Sequence, residues 1–248
     1  MQCAVLGAGQ RLRITLDGQP HKSFAYQQLR SLSCFTRFTT MRRVSNTLRS
    51  NLMGAAEWFG IFLNRLIDPA ALPSSIIEAA FIGARGNGDP LTLSHLFSGA
   101  ALPALAMNGA TLSRLHGFPV RLIAPRYYGF KCVKRLSEIR LTARPYYGTR
   151  PKMGCTNEHA DHTRRSYPAV HTMSYIDRVR PDGERLLVGW VPFAGLFGIQ
   201  TVQVRADQAV WVDCGLEKPL SPSTWTLWKA GIPAAGGPPG KAPSLRMV

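Results

Sequence analysis

The stretch His116-Gly117-Phe118-Pro119-Val120-Arg121-Leu122-Ile123-Ala124-Pro125-Arg126-Tyr127-Tyr128-Gly129-Phe130-Lys131-Cys132-Val133-Lys134 constrains this chain more than any other. Gly117 and Pro119 mark a turn, and Val120 to Ala124 is an apolar run broken by one arginine, the pattern of a buried strand. Gly129 then relieves a loop that carries Lys131 and Lys134 beside Arg121 and Arg126. Guanidinium forks and backbone N–H groups of this kind hold a phosphate-bearing ligand. A basic hairpin on the surface uses the same residue types, so chemistry alone leaves both readings open.

Around this stretch the chain reads as an α+β fold followed by a small β-sandwich. Its 248 residues, 45% hydrophobic and 18% charged, can build a core and exclude wholesale disorder. Residues 11–17 alternate and run into Asp17-Gly18, a strand feeding a tight turn. Phe24 to Leu32 is helical in character, and Phe35 to Val44 reads as a strand. In residues 55–67, Ile61, Leu63, Leu66 and Ile67 sit near helical spacing ahead of Asp68-Pro69, which predicts a helix. Gly86 to Pro90 is a turn, Leu93 to Leu105 a further helical region, and Val120–Ala124 and Ser137–Thr142 are strands. These elements predict one α+β domain over 1–145 and a loop or linker over 146–169. Arg185 to Val191, Gly198 to Val204 and Val210 to Cys214 then predict a sandwich over 170–230. The Gly- and Pro-rich tail from Gly231 predicts no ladder, and 231–248 is expected to be disordered.

Thirty Lys+Arg against fourteen Asp+Glu give a formal charge of +16, which attracts anions of any size. Few aromatics accompany Arg42, Arg43 and Arg49 to stack bases, so nucleic acid is not the expected partner. Cys3, Cys34, Cys132, Cys155 and Cys214 are odd in number and irregular in spacing, which does not make a disulfide framework. No apolar run approaches the ~18–20 residues of a membrane span, and no signal peptide is visible, so the chain as written reads as soluble with no compartment assigned. Leu6-Gly7-Ala8-Gly9-Gln10 imitates a dinucleotide fingerprint, but its third glycine position is Leu12 and a strand follows. Cys155, His159, His162 and His171 offer zinc ligands without a second cysteine pair, and solvated loop histidines are the simpler reading.

Met107-Asn108-Gly109, His116 to Arg121, Pro125, Tyr128 to Lys131 and Val133-Lys134 together closely resemble the molybdopterin-binding domain of the sulfite oxidase family. Upstream, Val44-Ser45-Asn46 and Gly54-Ala55-x-x-Trp58-x-Gly60-Ile61-x-Leu63 look like the family's segment running from its metal-binding cysteine. Downstream, Met173-Ser174, Ile176-Asp177, Gly189-Trp190, Gly198-Ile199 and Pro222-x-Thr224-Trp225-x-x-Trp228 resemble its immunoglobulin-like dimerisation domain. The resemblance implies a Mo-molybdopterin cofactor. His116 and Arg121 would contact the pterin and its phosphate, with Cys132, Val133 and Lys134 closing over it. It also implies oxygen-atom transfer on a small oxyanion or sulfoxide, an electron acceptor such as a haem protein, and a homodimer.

The family reads Cys-Val-Ser-Asn where this chain reads Arg43-Val44-Ser45-Asn46. Arginine stays protonated and offers a metal no lone pair, so no protein ligand to molybdenum is expected, and Arg43 would stand near an anion. Cys34 lies nine residues earlier, and Cys132 falls in the cofactor loop rather than at the ligand position. The family's tryptophan after Val-Lys is Arg135 here. The chain opens at the first strand, and its sandwich spans roughly sixty residues from Val170 against ~100 for an immunoglobulin-like domain. The expectation is therefore a degenerate, truncated member whose activity is in doubt. The alternative is a non-catalytic cofactor-binding or interaction protein that retains the scaffold.

Overall fold

The computed structural model describes residues 10–47, 50–148, 156–158, 164–166, 169–207, 209–233 and 245–247. The chain divides into two compact units, each assembled from separate segments: residues 1–37 with 56–169, and residues 38–55 with 170–248.

The first unit starts with β1 (Arg11–Leu16), β2 (Gln19–Ala25) and the short helix α1 (Tyr26–Arg30). Strands β3 (Cys34–Arg42) and β4 (Met53–Ile61) each pass from one unit into the other. Then follow β5 (Glu78–Gly83), β6 (Gly88–Thr92), α2 (Leu93–Phe97), β7 (Leu102–Met107), β8 (Ala110–Thr111), β9 (Arg121–Ile123), β10 (Leu136–Thr142), β11 (Thr156–Glu158) and β12 (Arg164–Ser166). One sheet has the order β2-β1-β10-β5-β6, with β1 and β10 parallel and the other neighbours antiparallel. A second has the order β3-β4-β7-β8, with β9 on β7. Alternation builds the core: Leu12 and Ile14 point inward between exposed Arg11 and Arg13, as a half-buried strand requires. Trp58, Phe81, Leu102, Leu122 and Ile139 are fully buried in the same unit.

Three expectations are corrected here. Residues 55–61 belong to β4, not to a helix, and only Leu63–Arg65 and Pro69–Ala71 turn, as single 3-10 turns. Ala56, Trp58 and Gly60 are buried while Phe59 between them is exposed, a period of two that outweighs the apolar spacing after Ile61. At Gly60 a Cβ would lie 2.6 Å from Pro103 O and 2.9 Å from Ala104 Cα, so β7 approaches this strand more closely than any side chain permits. The helix expected over Leu93 to Leu105 ends at Phe97, because Gly99 turns at φ +74° and Leu102 starts β7. The tail expected to hold no ladder contributes Gly231 to Pro233 to the end of β18, and Leu245–Met247 forms β19.

In the second unit β13 (Arg178–Asp182), β14 (Arg185–Trp190), β17 (Gly215–Leu216) and β18 (Trp228–Pro233) form a sheet of order β13-β14-β18-β17. Strands β15 (Gln203–Ala206), β16 (Val212–Asp213) and β19 (Leu245–Met247) form another, of order β16-β15-β19. Val188, Val204, Ala206, Trp228 and Ile232 make a common core cluster. Strands dominate throughout the described residues. Among the described residues each of the two α-helices has five residues, so the helical share there is small for an α+β fold.

Candidate functional site

The basic stretch folds as a turn followed by a two-stranded ribbon. The N–H groups of His116, Gly117 and Phe118 all reach Ser113 O, at 3.1, 3.0 and 3.0 Å, which winds the turn tightly. Gly117 takes φ +105°, a conformation L side chains rarely adopt. The ribbon is then closed by Leu122 N–H to Val133 O (2.9 Å) and Leu136 N–H to Val120 O (2.8 Å), with Arg121 and Lys134 bridged opposite one another.

Arg121 is 6% exposed. Its Nη1 donates to the carbonyl of the exposed His116 (3.3 Å), and its guanidinium lies 5.2 Å from the centre of the Trp58 ring. Lys134 is exposed, donates from Nζ to Leu115 O (2.6 Å), and covers Gly117 closely enough that a Cβ there would stand 2.9 Å from its own Cβ. Arg135 completes the group through its N–H to Gly117 O (3.1 Å). Burial holds Arg121 below its ordinary pKa. Burial, then the like charges of Arg121 and Arg135, does the same to Lys134. Charge of one sign is therefore crowded at this turn, which a bound anion relieves.

The structure thus brings Arg121, Lys134 and the backbone of His116 together. Cys132 and Val133 face inward beneath them. The Cys132 thiol accepts Ala124 N–H (3.4 Å), and burial raises its pKa against the pull of Arg121, so it is a packed, protonated group. Lys131 departs from expectation. Placed by sequence among the phosphate-holding cations, it lies buried with Nζ 2.5 Å from Asp89 Oδ1 and 2.7 Å from Pro90 O.

His95 packs close to this pair, edge-on to Tyr127 at 4.7 Å between ring centres. Burial, followed by the charges of Arg126 and Lys131, pulls its imidazole down to about 4. In the unfolded chain it titrates near ~6.5, so between those values only the unfolded state takes up the proton. Stability present above that range is lost as pH falls through it, by roughly 3 kcal/mol at ~1.4 kcal/mol per pH unit. Denaturant unfolding between pH 7 and 4 should show this loss, and His95→Phe should flatten the curve. An unchanged slope in the variant would refute the assignment.

Arg43 belongs to the other unit. It is exposed at the end of β3, where its N–H bonds Leu52 O (3.0 Å) and its carbonyl accepts Asn46 N–H (3.1 Å). Asn46 Oδ1 accepts Leu52 N–H (2.9 Å), and buried Arg42 donates to Asn46 O (3.1 Å) and to Tyr175 Oη (3.2 Å). The turn is thus held by groups other than the Arg43 side chain. Its root is held by a cluster whose role sequence reading missed. Ser221 Oγ and Ser223 Oγ donate to Phe38 O (2.6 and 2.9 Å), and Trp225 N–H to Thr40 Oγ1 (3.0 Å). The run of hydroxyls Ser221, Ser223 and Thr224 was the available signal. Beside the turn opens a cavity of about 600 Å³ lined by Asn46, Asn51, Tyr175, Trp190 and Trp225 among others.

Of the weaker motifs, Leu6 to Gly9 and the Cys155, His159 and His162 of the zinc candidate lie outside the described residues, and His171 is exposed. Among the described residues no group of three or more His, Cys, Asp or Glu side chains is placed to hold a metal. None of the described helices is long and apolar enough to cross a membrane.

The sequence model of the oxidoreductase molybdopterin binding domain matches residues 7–149. Sulfite oxidase of Arabidopsis thaliana is 26% identical over 253 residues, which is 82% of this chain and 64% of that protein. The mitochondrial sulfite oxidase of Homo sapiens is 26% identical over 273 residues, 94% of this chain and 49% of that protein. This chain therefore spans about half to two thirds of the length of these relatives. The crystal structure of the sulfane dehydrogenase SoxCD from Paracoccus pantotrophus shares the fold, with a TM-score of 0.78 at 18% identity over 93% of this chain and 65% of that one. The chain belongs to the molybdopterin-binding oxidoreductases of the sulfite oxidase family.

Proposed function

We propose that this chain binds molybdopterin by its phosphate end through Arg121, Lys134 and the His116–Gly117 turn, and works as a sulfite-oxidase-like oxidoreductase on a small oxyanion or sulfoxide. The observation that carries the reading is the gathering of Arg121, Lys134 and Arg135 at one turn, where burial first and then the like charges depress Lys134 and a phosphate would relieve the crowding. The donor set fits that end of the cofactor: one buried guanidinium fork and one exposed ammonium, both ordered by the His116–Gly117 turn. When bound, the cofactor supplies dithiolene sulfurs and a metal competent for oxygen-atom transfer. Where the family carries its metal-binding cysteine this chain has Arg43, which offers no thiolate.

Arg43 favours a second reading, a scaffold that keeps the pterin and has lost the reaction. In either reading the second unit is the dimerisation module, an immunoglobulin-like sandwich, and a haem-type carrier is the electron acceptor of the active form.

Protein purified from cells that make molybdopterin should retain the pterin, measured by fluorescence after oxidative release. Arg121→Ala should lower that retention at least tenfold, since charge-assisted contacts of this kind contribute ~1.5–3 kcal/mol each. Equal retention in the variant would show that the pterin, if held, is held elsewhere.

A further inference from the structure

We infer that the buried Lys131–Asp89 ion pair positions Arg121 and Lys134 for their anionic ligand, so that Lys131 serves the site without touching what binds there. The ligand's identity rests on the molybdopterin reading above; the anchoring itself does not.

The Lys131 side chain is 5% exposed and that of Asp89 1%, with 2.5 Å between Nζ and Oδ1. The same Nζ donates to Pro90 O, and the Tyr127 ring lies 5.5 Å away. Asp89 sits on β6, the outer strand of the first sheet. The pair therefore ties the basic loop to the rigid edge of that sheet, and Glu78 adds a further attraction on Lys131.

From this anchor the connection to the site is short. Lys131 O accepts Val133 N–H (3.0 Å), Val133 O accepts Leu122 N–H (2.9 Å), and Lys134 then stands across from Arg121. Such a pair is a poor way to gain stability, because desolvating both charges offsets most of their attraction and an apolar pair of similar volume often does as well. What an apolar pair lacks is direction. An ammonium held at once by a carboxylate and a carbonyl accepts one position of the loop, and the two site cations inherit it.

The test uses the full chain with the double substitution Asp89→Leu/Lys131→Met, because either single change strands a buried charge. In the ligand-free protein, hydrogen exchange at the Leu122 and Val133 amides should quicken at least tenfold, while the amides of β5 and β10 keep their rates. Pterin retention should fall about tenfold, whereas Lys131→Arg made alone, with Asp89 kept as its partner, should retain most of it. Wild-type exchange in the double variant overturns the anchoring. Faster exchange with undiminished retention overturns the positioning role. If the unsubstituted chain retains no pterin, the molybdopterin reading fails. Affinity for inorganic phosphate, by calorimetry, then replaces retention: a tenfold loss in the double variant supports the inference, and no loss overturns it.

Discussion

Arg43→Cys should raise the molybdenum content of protein made in molybdopterin-producing cells at least tenfold, from well below one atom per chain to near one. The turn that carries position 43 is built from the backbone of Arg43, Asn46 and Leu52 and from the Asn46 and Arg42 side chains. Replacing the exposed Arg43 side chain therefore leaves the loop intact. A thiolate is a soft ligand of the kind molybdenum takes, and arginine supplies none. Arg43→Ser, which keeps the turn but supplies no soft donor, should stay at the unsubstituted level. Elemental analysis alongside the pterin assay separates the outcomes. One molybdenum per chain in the unsubstituted protein, or no gain in Arg43→Cys at equal pterin content, would show that position 43 does not control the metal. The same pair of assays distinguishes an oxidoreductase with a weakened centre from a scaffold that only keeps the pterin.

What could be read from sequence depended on how local the determining contacts are. Arg121 was legible because a lone arginine inside the apolar run Val120 to Ala124 has no structural reason to be there unless something needs its charge. Lys131 was not legible, since its partner Asp89 lies on a distant strand and nothing near Lys131 in sequence marks it as buried. A cation in a basic loop looks like a ligand-binding group until its position in the fold is known. The stretch 55–67 failed for a related reason. Ile61, Leu63, Leu66 and Ile67 satisfy a helical spacing, but the alternation of Ala56, Trp58 and Gly60 records the close approach of β7, a tertiary constraint that overrides the local pattern. The resemblance of Pro222-x-Thr224-Trp225-x-x-Trp228 did not reveal the work of Ser221 and Trp225 in this segment, because holding β3 depends on residues far away in the chain.

Gly117→Ala should damage the site and the fold together. Gly117 is held at φ +105°, and an added Cβ would stand 2.9 Å from Lys134 Cβ and 3.1 Å from both its Cα and Cγ. The backbone strain costs ~1–3 kcal/mol and the forced overlap a similar amount, so a loss of about 4 kcal/mol in unfolding free energy is expected. The far end of Lys134 is flexible, but its Cα is not, and moving it breaks the register that sets Lys134 opposite Arg121. The Gly117 carbonyl also accepts Arg135 N–H, so a shift in the turn displaces a third cation. Urea unfolding should therefore report the stability loss, and pterin retention should fall more than in Lys134→Met, which removes a charge but leaves the ribbon in place. If Gly117→Ala kept both stability and retention, the turn would not be what orders these cations. The molybdopterin reading would then have to rest on Arg121 alone.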